Sequence, residues 1–158
     1  MKSHRTLQTV EELRRKSADD AADERRVRQS EVAHAGANLK SATTKLESLR
    51  EESRLAQASE RARAQQGGAT IGDLQRLAAH ALGSKERERG LAAGVERARN
   101  ALEEAALAER RALEHFVTLN ADAKAVERLR EQRELAARRT QELASEEEAA
   151  DAWRPRES

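Results

Sequence analysis

Apolar residues recur at alternating steps of three and four along the C-terminal half of the chain. From Val95 to Glu147 these steps visit sixteen positions, of which eleven are apolar. The first ten positions, Val95 to Val126, include one polar residue, Glu109. Such spacing places side chains on one stripe of a helix, and the stripe is buried against another helix. The pattern therefore predicts a long coiled-coil helix.

The apolar stripe changes register after Val126. Continuing the same steps places Arg130 and Arg133 on the stripe, where apolar residues are expected. An extra step of three restores an apolar line, and a shift of this kind is typical of a stammer. The new line consists of Val126, Leu129, Ala136, Leu143 and Ala150. The sequence thus predicts a re-aimed, more loosely packed contact surface near the C-terminal end.

The N-terminal part carries a second stripe, which predicts a first helix over about residues 4–65. Seven of its eight positions are apolar: Val32, Ala35, Leu39, Ala42, Leu46, Leu49, Ser53 and Ala56. An earlier apolar group begins at Leu7, Val10 and Leu13. The intervening segment is nearly all polar, and its expected contacts are few: Ala18, Ala21, Ala22 and Val27.

The strongest break in the chain is Gln66-Gly67-Gly68, which predicts a reversal over about residues 66–70. Thr70 has the position of an N-cap, with Asp73 three residues on as a variant of the capping box. A second helix is predicted over about residues 71–153. It is either continuous, with a soft point at Gly83, or broken near residues 83–90, and the helix-forming residues in between favour the continuous form.

Because a short turn joins two long helices, the sequence predicts an all-α fold, an antiparallel coiled-coil hairpin. Trp153 and Pro155 mark the expected end of the second helix. Composition agrees, since 37% of residues are charged and 1% are aromatic. Such composition is typical of long helices rather than of a globular core. The whole chain, residues 1–158, is expected to form a single domain.

No residue pattern indicates catalysis, and we expect neither an enzyme nor a cofactor or metal. Nucleotide-binding, hydrolase and zinc-protease motifs are absent from the sequence. The four histidines lack other ligands at metal-binding spacing. A net charge of +1 with both signs interspersed argues against nucleic-acid binding. Without cysteine, a signal peptide or a membrane-spanning stretch, the sequence predicts a cytoplasmic protein.

Two apolar features near the ends of the second helix each have two interpretations. The group Leu74, Leu77, Ala78 and Ala81 either packs the tip of the hairpin or forms an exposed stripe for a partner. Trp153 either anchors a partner or caps the hairpin. We expect the first group to be partly exposed, because the first helix ends near its level.

Both ends of the chain resemble a known family. The opening RTLQTVEELRRKSADDAADERR is similar to the start of FliJ, the small coiled-coil protein of the flagellar export apparatus. The ending AKAVERLREQRELAARRTQELASEEEAADAWRPRES resembles the C-terminal pattern of that family, with spaced arginines, an acidic run and a basic tail. YscO-type stalk proteins of virulence type III secretion share the same architecture and remain an alternative.

The resemblance implies a non-enzymatic stalk whose terminal end enters the pore of the hexameric export ATPase. Another surface of such a protein contacts the cytoplasmic linker of the export gate protein, and export chaperones are further partners. This places the protein in the cytoplasm, peripheral to the inner membrane and held there through its partners. The ATPase-facing residues implied are Leu7, Val10, Leu13, Glu127, Arg128, Arg130, Arg133, Arg138 and Arg139. The gate-facing residues implied are Leu74, Leu77, Ala78 and Ala81.

A generic coiled-coil scaffold that homodimerises through its apolar stripe is the competing hypothesis. It requires no feature beyond the heptad-like spacing, and it predicts a stable dimer in solution.

Overall fold

The protein consists of two long helices packed against each other. The computed structural model describes the backbone of residues 2–153 and the side chains of residues 6–153. Helix α1 is Lys2–Gln65 and helix α2 is Ile71–Trp153, and the described part contains no strand. The predicted all-α helical hairpin is therefore confirmed. Pro155, expected to help end the second helix, lies outside the described residues.

Helix α2 runs without interruption through Gly83 and Gly90. This is the first of the two forms that the sequence left open. A glycine inside a helix costs about 1 kcal/mol relative to alanine. The flanking residues are mostly Ala, Leu, Arg, Glu and Lys, and these strong helix formers extend the helix on both sides of each glycine.

The reversal lies where the glycines predicted it. Gly67 has φ +82°, the left-handed region that glycine enters without a steric penalty. The amide of Gln66 donates to the carbonyl of Ala62 at 3.3 Å, and the amide of Gly67 donates to that of Ala64 at 3.3 Å. These bonds close the last turn of α1 and satisfy carbonyls that the helix end would leave unpaired.

Contacts divide the chain into two units. One unit joins α1 through Arg25 to the part of α2 from Ala112 onward, and the other is Arg26–Arg111. Within the first unit Arg14 forms an ion pair with Asp122 at 3.5 Å. Within the second unit Arg50 pairs with Glu88 at 2.6 Å. In each unit the two helices run antiparallel.

The predicted apolar stripes form the contact surface between α1 and α2, which we call the seam. All eight stripe positions of α1 between Val32 and Ala56 are buried or half-buried, and so are the ten of α2 between Val95 and Val126. The most buried apolar side chains are small or medium in size: Ala18, Ala21, Leu46, Val95 and Ala112, at 4–8% exposure. The seam is therefore thin, and alanine allows the helix axes to approach closely.

The predicted change of register after Val126 is wrong. The original stripe stays half-buried as far as Arg130, whereas Leu129 and Leu143 of the predicted new line are 42% and 61% exposed. The seam tolerates the charge of Arg130 because Glu11 of α1 and Glu134 of α2 each form an ion pair with it. From Leu135 to Trp153 every residue is exposed, so neither register is buried there.

The expected apolar group at the start of α1 is only partly in the seam. Leu7 is half-buried, but Val10 and Leu13 are 38% and 61% exposed. Val27, an expected contact, is 57% exposed. The seam instead continues backwards from Val32 in steps of three and four. It passes through the expected contacts Ala21, Ala18 and Leu7, and through three charged residues that apolarity alone does not single out, Arg28, Arg25 and Glu11; the intervening position, Arg14, is exposed.

Candidate functional site

A half-buried charge cluster lies at the end of the seam in the unit that contains the chain ends. The Nε atom of Arg130 lies 3.2 Å from Oε2 of Glu11 and 3.6 Å from Oε1 of Glu134. Arg130 Nε is fully shielded from solvent, and neither carboxylate meets hydrogen-bond geometry with it. The Glu11 side chain is 14% exposed and that of Arg130 is 32% exposed. Attraction between charges, rather than a directed hydrogen bond, therefore holds this cluster together.

The remaining arginines of this end project into solvent. Arg128, Arg133, Arg138 and Arg139 are all exposed, whereas Glu127 is half-buried. No ion pair joins Arg133, Arg138 or Arg139 to another described side chain. The guanidinium groups of these three residues therefore keep their full donor capacity for a partner. The nine residues expected to face an ATPase thus divide into four solvent-facing arginines, two exposed apolar residues and three half-buried residues, Leu7, Glu127 and Arg130.

A cation–π contact lies at the end of this unit that is far from the chain termini. The guanidinium carbon of Arg25 lies 5.8 Å from the centroid of the Phe116 ring. Both residues are half-buried, and Phe116 occupies a predicted seam position. Such contacts contribute about 0.5–1 kcal/mol at exposed sites and more when water is excluded. The long apolar stem of Arg25 also supplies seam contact that a shorter polar residue would not.

The other unit opens into a cleft near the turn. Its volume is about 800 Å³, and its walls come from both helices. Leu77 and Ala81 line it and are half-buried, and Leu74 lines it while remaining 52% exposed. Ala78 is exposed and does not line the cleft. The gate-facing group expected from the sequence is therefore partly exposed, and three of its four members share one cleft.

Polar contacts close the inner end of the cleft. The hydroxyls of Ser53 and Ser84 hydrogen-bond across the seam, and Ser84 is 7% exposed. One turn further along α2, Arg50 donates to Glu88 at 2.6 Å. The buried hydroxyl of Ser84 thus has the half-buried hydroxyl of Ser53 as its hydrogen-bond partner, as buried polar groups require.

A capping box fixes the start of α2 beside the cleft. The amide of Asp73 donates to the hydroxyl of Thr70 at 3.2 Å, and the amide of Thr70 donates to Oδ2 of Asp73 at 2.9 Å. These reciprocal bonds confirm the predicted cap. The side-chain hydrogen bond from Thr70, then its backbone bond, lowers the pKa of Asp73, and Arg76 at 2.7 Å contributes in the same direction. The carboxylate is therefore held ionised at the positive end of the helix dipole.

Comparison with known proteins identifies the fold. No protein-family model and no curated protein matches this sequence. The structure is similar to the crystal structure of the type III secretion protein YscO from Vibrio parahaemolyticus, with a TM-score of 0.74 and 20% sequence identity. The match covers 97% of this chain and 96% of that chain. The two proteins share a fold along almost their whole length.

Among the described residues no group of three or more metal-ligating side chains converges. Neither described helix has a stretch long and apolar enough to cross a membrane. Sequence reasoning missed the seam roles of Arg25, Glu88 and Ser84. Extending each apolar stripe backwards in steps of three and four would have found all three, because the steps from Val32 and Val95 land on them.

Proposed function

We propose that this protein is a non-enzymatic coiled-coil component of a type III protein export apparatus, acting as the stalk of its ATPase ring. The observation that carries the proposal is the shared fold with a type III secretion protein over 97% of the chain. The resemblance of both chain ends to FliJ supports the same class of function. Flagellar export is the system that this resemblance favours, and virulence secretion is the alternative that the YscO similarity favours.

The surface proposed to face the ATPase is the solvent-exposed arginine group of α2. Arg138 and Arg139 lie within the 19 consecutive exposed residues Leu135–Trp153, and Arg133 is exposed two residues before this run. A planar guanidinium binds carboxylates in a bidentate manner, so these side chains suit acidic loops in the pore of a ring. Arg130 and Glu127 contribute differently in this proposal. They hold the end of the seam in shape rather than binding the ATPase directly.

The surface proposed to face the export gate is the cleft near the turn. Leu74, Leu77 and Ala81 give it apolar walls, and an extended or helical linker segment with apolar anchors would fill such a space. Ala78 lies outside the cleft, so its role in gate binding would be minor. Export chaperones are further proposed partners. In this proposal the protein works in the cytoplasm and reaches the membrane only through its partners.

The experiment that tests the stalk proposal measures the cognate export ATPase with and without this protein. Steady-state turnover and hexamer formation should both rise when the protein is added. Arg133→Glu should reduce the stimulation, because it reverses charge on the proposed binding surface. The matched control is Arg89→Glu, an exposed arginine of α2 in the other unit, which should leave stimulation unchanged.

Testing flagellar and virulence ATPases side by side decides which system the protein serves. Absence of binding and stimulation with both enzymes would overturn the proposal. A stable dimer formed through the seam, together with that negative result, would establish the generic scaffold instead.

A further inference from the structure

The C-terminal part of α2 carries an apolar stripe that the described chain leaves exposed to solvent. Leu129 and Leu143 are 42% and 61% exposed, and Ala136 and Ala150 are exposed as well. These four residues are spaced by seven, so they lie on one face of the helix. We call this face the tail stripe. Isolated exposed leucines are ordinary, but an aligned row of apolar residues fits a partner helix.

The charges beside the tail stripe are strongly segregated. Residues 128–139 contain five arginines and two glutamates, a net charge of +3. Residues 140–151 contain five acidic residues and no basic residue, a net charge of −5. A second copy lying parallel would set like charges against each other along the whole segment. An antiparallel copy would set the basic half of each chain against the acidic half of the other.

The spacing of the tail stripe matches an antiparallel pair. When two copies are centred between Arg139 and Thr140, Leu129 of one lies opposite Ala150 of the other. In the same register Ala136 lies opposite Leu143. Each layer then combines one leucine with one alanine, so large side chains meet small ones. Such layers fill space without steric conflict and let the helices approach closely.

The same register brings opposite charges together beside the stripe. Arg133 of one copy lies within one residue of the level of Glu147 of the second copy. At 100° per residue the two side chains also project to the same side of the paired helices. Arg133 has no ion pair with another described side chain, so this contact does not compete with an existing one.

The first helix extends the apolar surface at this place. Helical geometry puts Val10 and Leu13, at 38% and 61% exposure, on the same side of the antiparallel helix pair as Leu129. The tail of a second copy lying along the tail stripe would therefore also cover part of α1.

We propose that the tail stripe is a self-association surface, through which two copies of this chain pair antiparallel along residues 129–150. The proposal rests on charge segregation and apolar spacing, and it does not depend on an ATPase partner. With only two leucines in each copy, association is weak and depends on ionic strength. Raising the salt concentration from about 0.05 to 0.5 M should weaken it roughly tenfold, because surface charge attraction is screened.

Disulfide trapping tests the proposal directly, because the chain has no cysteine of its own. Ala136→Cys and Leu143→Cys chains are mixed and oxidised mildly. Facing cysteines with Cα atoms roughly 4.4–6.8 Å apart form a disulfide. The mixture should yield cross-linked dimers, whereas Ala136→Cys alone should not. Two copies of that cysteine would be separated by about 10 Å along the helix axis in the antiparallel register.

Controls separate pairing from collision. Ala106→Cys, an exposed position of α2 outside the tail stripe, measures the background of random cross-linking. Helical content by circular dichroism should be unchanged in all three variants, because each site is exposed. Glu147→Arg should lower the trapped fraction, and combining it with Arg133→Glu should restore it.

Two results would overturn the proposal. Cross-linking of Ala136→Cys with itself, and no dimer joining Ala136→Cys to Leu143→Cys in the mixture, would establish a parallel dimer. If the cross-linked fraction in every sample stayed at the Ala106→Cys background, even at a protein concentration about 100 times that used in ATPase assays, the surface would not self-associate. Neither result bears on ATPase stimulation, which is measured separately.

Discussion

The guanidinium group of Arg25 lies over the ring of Phe116, 5.8 Å from its centroid, and joins α1 to α2 at a seam position where two apolar side chains would be expected. This pairing shows how a chain with two aromatic residues obtains bulk at its seam. An arginine stem supplies apolar contact while its charged end finds a ring, so charged residues take the place of large hydrophobic ones.

A double-mutant cycle should detect coupling between Arg25 and Phe116. Phe116→Leu keeps an apolar side chain but removes the ring, and Arg25→Ala removes the cation. The free energy of unfolding should fall for each single variant, and the coupling between them should be about 0.5–1 kcal/mol. Urea denaturation followed by circular dichroism measures all four proteins. Strictly additive effects would show that the ring and the guanidinium contribute separately.

The seam should require a small side chain at position 21, because Ala21 is only 4% exposed. Ala21→Leu inserts three carbon atoms between closely packed helices and should lower the free energy of unfolding by about 1–3 kcal/mol. Ala106→Leu places the same side chain at an exposed position and should change stability by less than about 0.5 kcal/mol. Equal stability of the two variants would mean that the seam can widen without cost at this level.

The two adjacent glycines of the turn should respond differently to the same substitution. Gly67 has φ +82°, whereas Gly68 has no positive φ, and neither has a heavy atom close to where a Cβ would stand. Gly67→Ala should therefore cost about 1–2 kcal/mol through backbone strain alone. Gly68→Ala should be neutral or slightly stabilising, since it restricts the unfolded chain. Thermal denaturation of both variants, side by side, measures the difference.

The cap of α2 should make stability depend on acidity. The pKa of Asp73 is lowered in the folded state, mainly by the Thr70 hydroxyl. Its contribution is complete above the ordinary aspartate pKa of about 3.9 and is lost as the pH falls through the lower, folded value. The difference in melting temperature between the native chain and Asp73→Asn should therefore shrink below about pH 4.

Thr70→Ala provides the matched comparison for the cap, because it removes the partner that lowers the pKa of Asp73. Its melting temperature should differ from that of the native chain most clearly at neutral pH, as for Asp73→Asn. A difference that stays constant from neutral to strongly acidic pH in both variants would contradict a role for the ionised carboxylate.

The central seam could be predicted from the sequence because it consists mostly of regularly spaced apolar residues. Between Val95 and Val126, and between Val32 and Ala56, the steps of three and four alone identify the buried face. The turn and the cap could also be predicted, because adjacent glycines indicate a turn and the spacing of Thr70 and Asp73 indicates a helix N-cap. These features depend on residues that are close together in the sequence, so they can be recognised without knowing what packs opposite them.

The end of the seam could not be predicted, because it depends on what lies opposite. Leu129 is more apolar than Arg130, yet Arg130 is the residue that α1 covers, since Glu11 stands across from it. The cleft near the turn escaped for a related reason. Its width depends on how far the helices separate between the small residues Ala56 and Ala81, and neither stripe records that distance.

No side chain in residues 6–153 is fully buried. A fold of this kind places few requirements on any one position. At most seam positions the side chain need only be small, or apolar, or long enough for its charged end to reach solvent. Many sequences meet these requirements, so chains with few residues in common can adopt the same backbone. The fold that this chain shares with YscO at 20% sequence identity agrees with this loose requirement. In such a protein the fold is determined by the order of helices, turn and charged segments along the chain rather than by any particular residue.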